Sequence, residues 1–144
     1  MKKILIYAAI ATALLWGASG CSYDLLITQD QLPEAASEFL DKHFPGIEIS
    51  YIERDAFSYE VNFVNGWEVE FNRRGEWSHV DCKRDSVPVS TLRLIPESIL
   101  SYVENNFSRA FISEIELNFT GYEIGLENGP DLEFSRSGEF RRID

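Results

Sequence analysis

The chain repeats itself: residues 32–81 match residues 95–144 at a constant offset of 63 positions, and the match needs no gap. Pro33-Glu34 aligns with Pro96-Glu97, and Asn65-Gly66 aligns with Asn128-Gly129. The shared positions are turn glycines, aromatic residues and a proline at a predicted helix start. The repeating unit is therefore a supersecondary structure. The sequence predicts two copies, called here repeat 1 (residues 32–82) and repeat 2 (residues 95–144), which together form one domain.

The first 21 residues have the features of a secretory signal peptide. Lys2 and Lys3 form a short basic segment, and residues 4–16 are apolar but fall short of the roughly 20 residues that a spanning helix needs. Small residues then precede Cys21, as in the lipobox of bacterial lipoproteins, in which the cysteine becomes the lipidated N-terminus. We therefore expect an exported protein that is lipid-anchored through Cys21, on the periplasmic side of the membrane or at the cell surface. An ordinary signal peptide followed by a chance cysteine stays open.

The remaining chain is acidic and has the size of one domain. The formal net charge is −11, and removing residues 1–21, which carry two lysines and no acid, leaves −13. An acidic surface repels phosphate groups, which argues against nucleic acid as a partner and against membrane contact other than through the N-terminal lipid. The expected partner is an unknown protein or a basic peptide, and divalent cations are also compatible with the charge. The excess of acid can equally serve solubility alone.

Each repeat is predicted to be a helix followed by an antiparallel meander of four strands. Apolar residues recur at helical spacing over residues 32–44 and 95–107, and Pro33 and Pro96 fit the first helical turn. Further along, Tyr59, Val61 and Phe63 alternate with polar residues in the manner of a half-covered strand. One unit of about 50 residues buries too little apolar surface to be stable alone. Two units can share a core by joining their sheets edge to edge, which makes the fold class α+β.

The length of the turn between two strands can be inferred from the alternation of apolar and polar residues along them, because opposed residues of an antiparallel pair share a face. A three-residue loop, residues 64–66, sets Phe63 opposite Trp67, and it predicts that Gly66 adopts the left-handed region. The same arithmetic makes residues 127–129 the loop of repeat 2 and sets Tyr122 opposite Phe134.

Other segments are less clearly defined. In the last strand Trp77 and Val80 have opposite parity, so either both faces are partly covered there or a bulge intervenes. Residues 22–31 are predicted to be a tether with a possible short strand at 25–28. Residues 83–94 form the linker between the repeats.

Several motifs together resemble the PepSY-like family of secreted proteins from Bacteroides-type bacteria, which is also described as similar to beta-lactamase-inhibitor proteins. They are Leu32-Pro33-Glu34, Tyr59-Glu60-Val61, Asn65-Gly66, Glu70-Phe71 and Gly75-Glu76-Trp77. The resemblance covers nearly all of the chain after residue 21, and repeat 2 shows most of it again. It implies a tandem repeat of a helix plus a four-stranded antiparallel meander, with the helices packed on one face of a continuous curved sheet. It also implies protein binding by the uncovered face.

The candidate binding face is the polar side of this sheet. Its carboxylates and one amide should point away from the aromatic core because they alternate with core residues along the strands. The candidate residues are Glu60, Asn62, Glu68, Glu70, Glu123, Glu127, Asp131 and Glu133. This face either captures a basic partner or is simply solvated, with nearby arginines relieving the repulsion.

No constellation for catalysis, metal binding or cofactor binding is found in the sequence. His43 and His79 have no second histidine or cysteine at zinc-ligand spacing, and no loop has the alternating oxygen ligands of a calcium site. We expect His43 at a helix end, favoured by the helix dipole, and Cys82 buried at a strand end. A Cys82–His79 nucleophile pair is disfavoured, because three residues at a strand end give no reliable contact.

The leading hypothesis is a non-enzymatic, lipid-anchored binding module that uses the open sheet face. The resemblance alone supports an alternative, an inhibitor of an envelope protease or beta-lactamase. A structural or stress-response lipoprotein with no dedicated ligand stays open as well.

Overall fold

The computed structural model describes residues 24–144, which form an α+β domain built on one nine-stranded antiparallel sheet. The predicted signal peptide and the lipidation of Cys21 lie outside the described residues. The strands are β1 (Leu25–Ile27), β2 (Ile49–Arg54), β3 (Ser58–Phe63), β4 (Glu68–Asn72), β5 (Trp77–Asp81), β6 (Ile112–Leu117), β7 (Gly121–Leu126), β8 (Leu132–Ser135) and β9 (Phe140–Ile143). They pair in chain order from β1 to β9, so each strand lies beside its neighbour in sequence.

Within residues 24–144, three α-helices connect the strands: α1 (Glu34–His43), α2 (Val89–Leu92) and α3 (Glu97–Asn106). A 3-10 helix, Gln29–Gln31, precedes α1. Pro33 and Pro96 immediately precede α1 and α3 in an extended conformation, with ψ of 143° and 133°. The prediction that these prolines lie within the first helical turn is therefore wrong by one position. The carbonyl of Pro33 still accepts a hydrogen bond from the amide of Ala36, so the proline contributes to the first turn although it lies just before the helix. The short helix α2 lies in the segment that the sequence suggested to be only a linker.

The first hairpin has the predicted register. Val61 lies opposite Val69 and Tyr59 opposite Phe71, and the amide of Phe63 donates to the carbonyl of Trp67 at 2.9 Å. Gly66 has a φ of +88°, in the left-handed region that a residue without a Cβ enters at little cost. The predicted three-residue loop is thus present.

The equivalent hairpin of repeat 2 reaches the same register with a different residue in the left-handed region. Tyr122 lies opposite Phe134 as predicted, but the positive φ belongs to Asn128 (+58°) rather than to Gly129. Asparagine tolerates this conformation better than most residues with a side chain. A Cβ on Gly129 would lie 2.9 Å from the Cβ of Leu126, so this glycine is needed for space instead.

Bulges explain why apolar residues in the last strand of each repeat have opposite parity, a question that the sequence left open. The pairing shifts between Glu70 and Phe71, so that Glu70 lies opposite His79 but Phe71 opposite Trp77. The same shift occurs between Glu133 and Phe134 against β9. A bulge adds one residue to one strand and re-aims the side chains beyond it. Trp77 and Val80 can therefore both face the core despite their opposite parity.

The core lies against one face of the sheet. Phe39 of α1 contacts Phe71 edge-on, with ring centroids 5.5 Å apart, and Tyr102 of α3 contacts Phe134 edge-on at 5.4 Å. Phe71 and Phe134 are fully buried. Aromatic pairs prefer this edge-to-face arrangement because of their ring quadrupoles. The opposite face of the sheet carries the polar residues.

Candidate binding face

A row of charged side chains runs across eight consecutive strands on the polar face of the sheet. Each member lies directly opposite the next in the register of β2 to β9. The row, called here the glutamate row, consists of Glu53, Glu60, Glu70, His79, Glu116, Glu123, Glu133 and Arg142. Because opposed residues share a face and lie about 4.5–5.5 Å apart at Cβ, six carboxylates are held in one line.

A second, shorter row lies beside it. Asn62, Glu68, Asp81 and Glu114 are opposed in turn across β3 to β6. The next position is Gly125, where an added Cβ would lie 2.8 Å from the Cβ of Glu114 and 3.6 Å from a carboxylate oxygen of Asp131. The missing side chain at Gly125 therefore leaves room for two acidic side chains to approach each other.

The structure brings seven of the eight predicted face residues together. Four of them, Glu60, Glu70, Glu123 and Glu133, belong to the glutamate row, and Asn62 and Glu68 belong to the second row. Asp131 lies in the β7–β8 connection, outside the paired register, but its carboxylate reaches the second row beside Gly125. Glu127 also lies in this connection, and its amide donates to the carbonyl of Phe111.

Sequence reasoning missed six residues of the two rows. They are Glu53, His79, Asp81, Glu114, Glu116 and Arg142, which lie in β2, β5, β6 and β9. The pairing of β5 with β6 joins the halves of both rows at His79 and Asp81. The alternation of Glu114 and Glu116 with Ile115 was the one local signal that could have placed the two glutamates on the polar side.

His79 lies at the centre of the face. Its Nε2 is 2.7 Å from Oε1 of Glu114, and Glu70 and Glu116 lie opposite it on the two neighbouring strands. Burial disfavours the charged imidazole, but the hydrogen bond to Glu114 and the nearby carboxylates outweigh it and raise the pKa of His79. The histidine thus supplies positive charge in the middle of the row when it is protonated.

Two cations neutralise other parts of the face. Lys83 contacts Glu68 at 2.8 Å and Asp81 at 2.5 Å, and these two carboxylates raise its pKa despite partial burial. Arg142 contacts Glu133 at 2.5 Å at the far end of the glutamate row. Such partly exposed ion pairs stabilise a fold only weakly. They nevertheless fix which carboxylates remain uncompensated.

The uncompensated carboxylates lie on both sides of His79. Glu123 is flanked by Glu116 and Glu133, and its pKa is raised by partial burial and then by the surrounding acids. Burial also raises the pKa of Glu70; His79 opposes this, whereas Glu60, Glu116 and Asp55 add to it. A raised carboxyl pKa means that the surroundings of the carboxyl group disfavour its charged form.

A shallow hollow of about 130 Å³ opens at the β2–β4 end of the face. Its lining is almost entirely acidic and consists of Asp24, Glu53, Asp55, Ser58, Glu60 and Glu70. Asp55 is engaged by the backbone amides of Phe57 and Ser58, which lower its pKa. The remaining lining carboxylates make this hollow a strongly negative part of the face.

Nucleophilic chemistry has no support in this geometry. Cys82 is fully buried among core residues, and burial raises its pKa to about 12, whereas His79 is on the polar face and is hydrogen-bonded to Glu114. The thiolate needed for attack is therefore absent at neutral pH. Within residues 24–144 no group of three or more His, Cys, Asp or Glu side chains is arranged to hold a metal ion.

His43 differs from its expected role. It lies at the end of α1 as predicted, but it is buried, and its Nδ1 is 2.9 Å from the hydroxyl of Ser90. Burial and the nearby Lys42 lower its pKa, so the neutral form is favoured. The predicted position at the helix end is confirmed, and burial rather than the helix dipole governs the pKa of His43.

In the part of the chain that the structure describes, no helix is both long and apolar enough to cross a bilayer. The model of the family described as "Putative beta-lactamase-inhibitor-like, PepSY-like" matches residues 16–67 and 57–142. No curated protein matches the chain.

Three solved structures from Bacteroides are similar in fold and sequence. A "putative periplasmic protein of unknown function" from Bacteroides vulgatus shares 37% identity with a TM-score of 0.77, covering 84% of this chain and 98% of its own. A "putative calcium-regulated periplasmic protein" from Bacteroides thetaiotaomicron shares 36% identity at a TM-score of 0.77, covering 84% and 96%. A further putative periplasmic protein from Bacteroides vulgatus shares 35% identity at a TM-score of 0.77, covering 87% and 99%.

Proposed function

The chain belongs to the PepSY-like family, and from this premise we propose that it is a non-enzymatic periplasmic binding module that holds a basic protein or peptide against the glutamate row. Three observations support the location. Similar structures are described as those of periplasmic proteins, residues 1–21 have the features of a signal peptide, and Cys21 follows a lipobox-like segment. We propose lipid anchoring through Cys21 on the same grounds.

The single observation that carries the proposal is the alignment of six carboxylates in register across the sheet. Like charges directly opposite each other destabilise a sheet, by roughly 0.2–1 kcal/mol for each pair. Only His79 and Arg142 interrupt this row with opposite charge. A partner that carries lysine or arginine at matching spacing would remove this repulsion and gain association rate from the field.

The form of the face also favours a macromolecular partner. The hollow at its β2–β4 end is small, whereas small-molecule sites are clefts of about 300–1,000 Å³ that bury most of the ligand. The row crosses eight strands, which at about 4.8 Å per strand spans roughly 34 Å. An extended basic segment or the surface of a protein can contact a row of this length.

The test compares two double charge reversals that change net charge equally. Glu116→Lys with Glu123→Lys alters the centre of the glutamate row, whereas Glu38→Lys with Glu104→Lys alters exposed positions on α1 and α3. Both variants and the wild type are used as bait in an envelope extract, and recovered proteins are identified by mass spectrometry. We expect the row variant alone to lose a partner that the wild type recovers at low salt. Equal loss in both variants would point to net charge alone, and unchanged recovery in the row variant would refute the proposal.

The family description favours a second candidate function, inhibition of an envelope hydrolase. An inhibitor would slow a beta-lactamase or protease at micromolar concentration, and the residual activity of such enzymes measures this directly. Full activity across a panel of envelope hydrolases would remove this alternative and leave the binding module.

We also propose that the two halves are copies of one helix-plus-four-strand unit, with both helices on the same face of the sheet. The support is the equivalence of contacts. Phe39 and Tyr102 meet Phe71 and Phe134 at the same interplanar angle of 83°. The duplication would give the polar face two similar acidic halves: Glu60 opposite Glu70, and Glu123 opposite Glu133.

A further inference from the structure

Two exposed phenylalanines lie along the edge of the sheet that is formed by the ends of its strands. The β2–β3, β4–β5, β6–β7 and β8–β9 turns all lie at this edge, because successive antiparallel strands reverse direction. Phe57 in the β2–β3 turn is 82% exposed and Phe119 in the β6–β7 turn is 95% exposed. We call this edge, with Phe57 and Phe119 at its tips, the phenylalanine edge.

The two turns are held by hydrogen bonds. The carboxylate of Asp55 accepts the amides of Phe57 and Ser58, and the side-chain carbonyl of Asn118 accepts the amides of Thr120 and Gly121. An exposed arginine supports each turn from the adjacent turn: Arg73 donates to the carbonyl of Ala56 at 2.6 Å. Arg136 donates to the carbonyl of Asn118 at 3.4 Å. Both phenylalanines are therefore presented to solvent on ordered turns with a guanidinium at the base.

The chain enters the sheet at the same edge. Leu25, the first residue of β1, lies opposite Arg54, the last residue of β2 and the neighbour of the Phe57 turn. Leu25 and Leu26 are themselves mostly exposed. Three residue steps separate Cys21 from Asp24, and they can span at most about 11 Å. A lipid on Cys21 would therefore hold the β1–β2 end of the phenylalanine edge within about that distance of the bilayer surface.

We propose that the phenylalanine edge is a membrane-contact surface, in which Phe57 and Phe119 insert into the interfacial layer of the phospholipid bilayer that holds the lipid anchor. This inference rests on the proposed lipidation of Cys21. The two turns are four strand spacings apart, which corresponds to roughly 19 Å. Phenylalanine is among the apolar residues that peripheral segments bury at the boundary between headgroups and acyl chains, and the exposed Arg73 and Arg136 lie where they can meet phosphate groups. Two aromatic contacts and one acyl anchor together fix the orientation of the domain relative to the membrane.

This orientation explains how a strongly acidic protein can contact a membrane. The glutamate row lies on a face of the sheet, whereas the phenylalanine edge lies at the ends of the strands. With the edge toward the lipid, the strands stand upright and the acidic face points sideways into the periplasm. The glutamate row then remains accessible to a partner.

The test places a fluorescent probe at single cysteines in the full lipidated chain, reconstituted in vesicles of phosphatidylethanolamine and phosphatidylglycerol that contain a spin-labelled quencher lipid. Probes at Ala56→Cys and Thr120→Cys report on the phenylalanine edge. A probe at Ser108→Cys, which is exposed between α3 and β6, reports on the opposite edge. Cys82 is buried and remains unlabelled in the folded protein. We expect quenching at positions 56 and 120 to be severalfold stronger than at position 108.

A second comparison removes the aromatic contacts. Phe57→Ser with Phe119→Ser should reduce quenching at position 120 to the value at position 108. The matched variant Val64→Ser removes an exposed apolar side chain at the opposite edge and should change nothing. Equal quenching at all three probe positions would overturn the proposal. Loss of a protein partner by the double variant, with vesicle quenching unchanged, would overturn it in favour of a protein contact.

The intact mass of the native protein separates failure of this inference from failure of the proposed anchoring. An acylated chain with uniform quenching refutes the membrane contact and leaves the anchored binding module. A chain without acyl groups on Cys21 refutes the anchor and, with it, the membrane contact.

Discussion

Neutralising single carboxylates of the glutamate row should have unequal consequences on the two sides of His79. Glu123 lies between two carboxylates, Glu116 and Glu133, and Glu70 lies between one carboxylate, Glu60, and the imidazole of His79. A directly opposed like-charge pair costs roughly 0.2–1 kcal/mol. Glu123→Gln removes two such pairs, one of them already weakened by Arg142, so we expect it to stabilise the protein by about 1 kcal/mol. Glu70→Gln removes one repulsion and one attraction, which offset each other, so only the burial that raises the pKa of Glu70 favours the neutral side chain and the gain should be smaller.

Urea denaturation of the two variants and the wild type near neutral pH and low salt measures the difference. The gain from Glu123→Gln should shrink in high salt, since the side chain is partly exposed and its interactions are screened. It should also vanish as the pH falls through the raised pKa of Glu123, because the wild-type carboxyl then loses its charge. Equal stabilisation by Glu70→Gln and Glu123→Gln, or a gain that survives high salt, would refute the reasoning.

The structure supports three more predictions. The pKa values of His79 and of two glutamates in the row are raised, so the folded state binds these protons more tightly than the unfolded state. The stability that these groups contribute should therefore rise as the pH falls from about 8 toward about 5 and be lost as the pH rises through their folded pKa values, whereas His43, whose pKa is lowered, acts with the opposite sign. Urea midpoints that depend on pH identically in the wild type and in His79→Gln would contradict the part assigned to His79. With Cys21 replaced by serine, the buried thiol of Cys82 should react with a thiol reagent only after unfolding, and rapid labelling of the native protein would exclude its burial. Phe71→Ala and Phe134→Ala should each cost about 3–5 kcal/mol in one cooperative transition, whereas the exposed Phe119→Ala should stay within about 0.5 kcal/mol; separate transitions for the two halves would show that they fold independently.

Local patterns predicted much of the sheet. Alternation and loop arithmetic gave the pairing of Tyr59 with Phe71 and of Tyr122 with Phe134, because hairpin register depends on residues that are adjacent in sequence. They also gave the left-handed Gly66. In the second hairpin the positive φ belongs to Asn128 and not to the loop glycine. The sequence could not predict this, because loop length does not decide which loop residue adopts a positive φ.

The full extent of the acidic face could not be read from the sequence. Its two halves meet where β5 pairs with β6, and this contact joins His79 to Glu116 across residues that are distant in the chain. The bulge before Trp77 also hid the side to which His79 points. The buried state of His43 was missed for a similar reason, because Ser90 belongs to a helix that the linker composition did not suggest.

The pairing of all nine strands in chain order has a consequence for how the protein assembles. Each hairpin can close as soon as its two strands are available, and such local contacts favour rapid folding. Two pairings have to wait for a longer segment: β1 and β2 are separated by about 20 residues that include α1. The β5–β6 seam waits longest, for about 30 residues that include α2 and α3. A polypeptide that crosses a membrane unfolded, amino terminus first, could therefore complete its first five strands while the rest is still in transit, leaving closure of this seam as the final slow event.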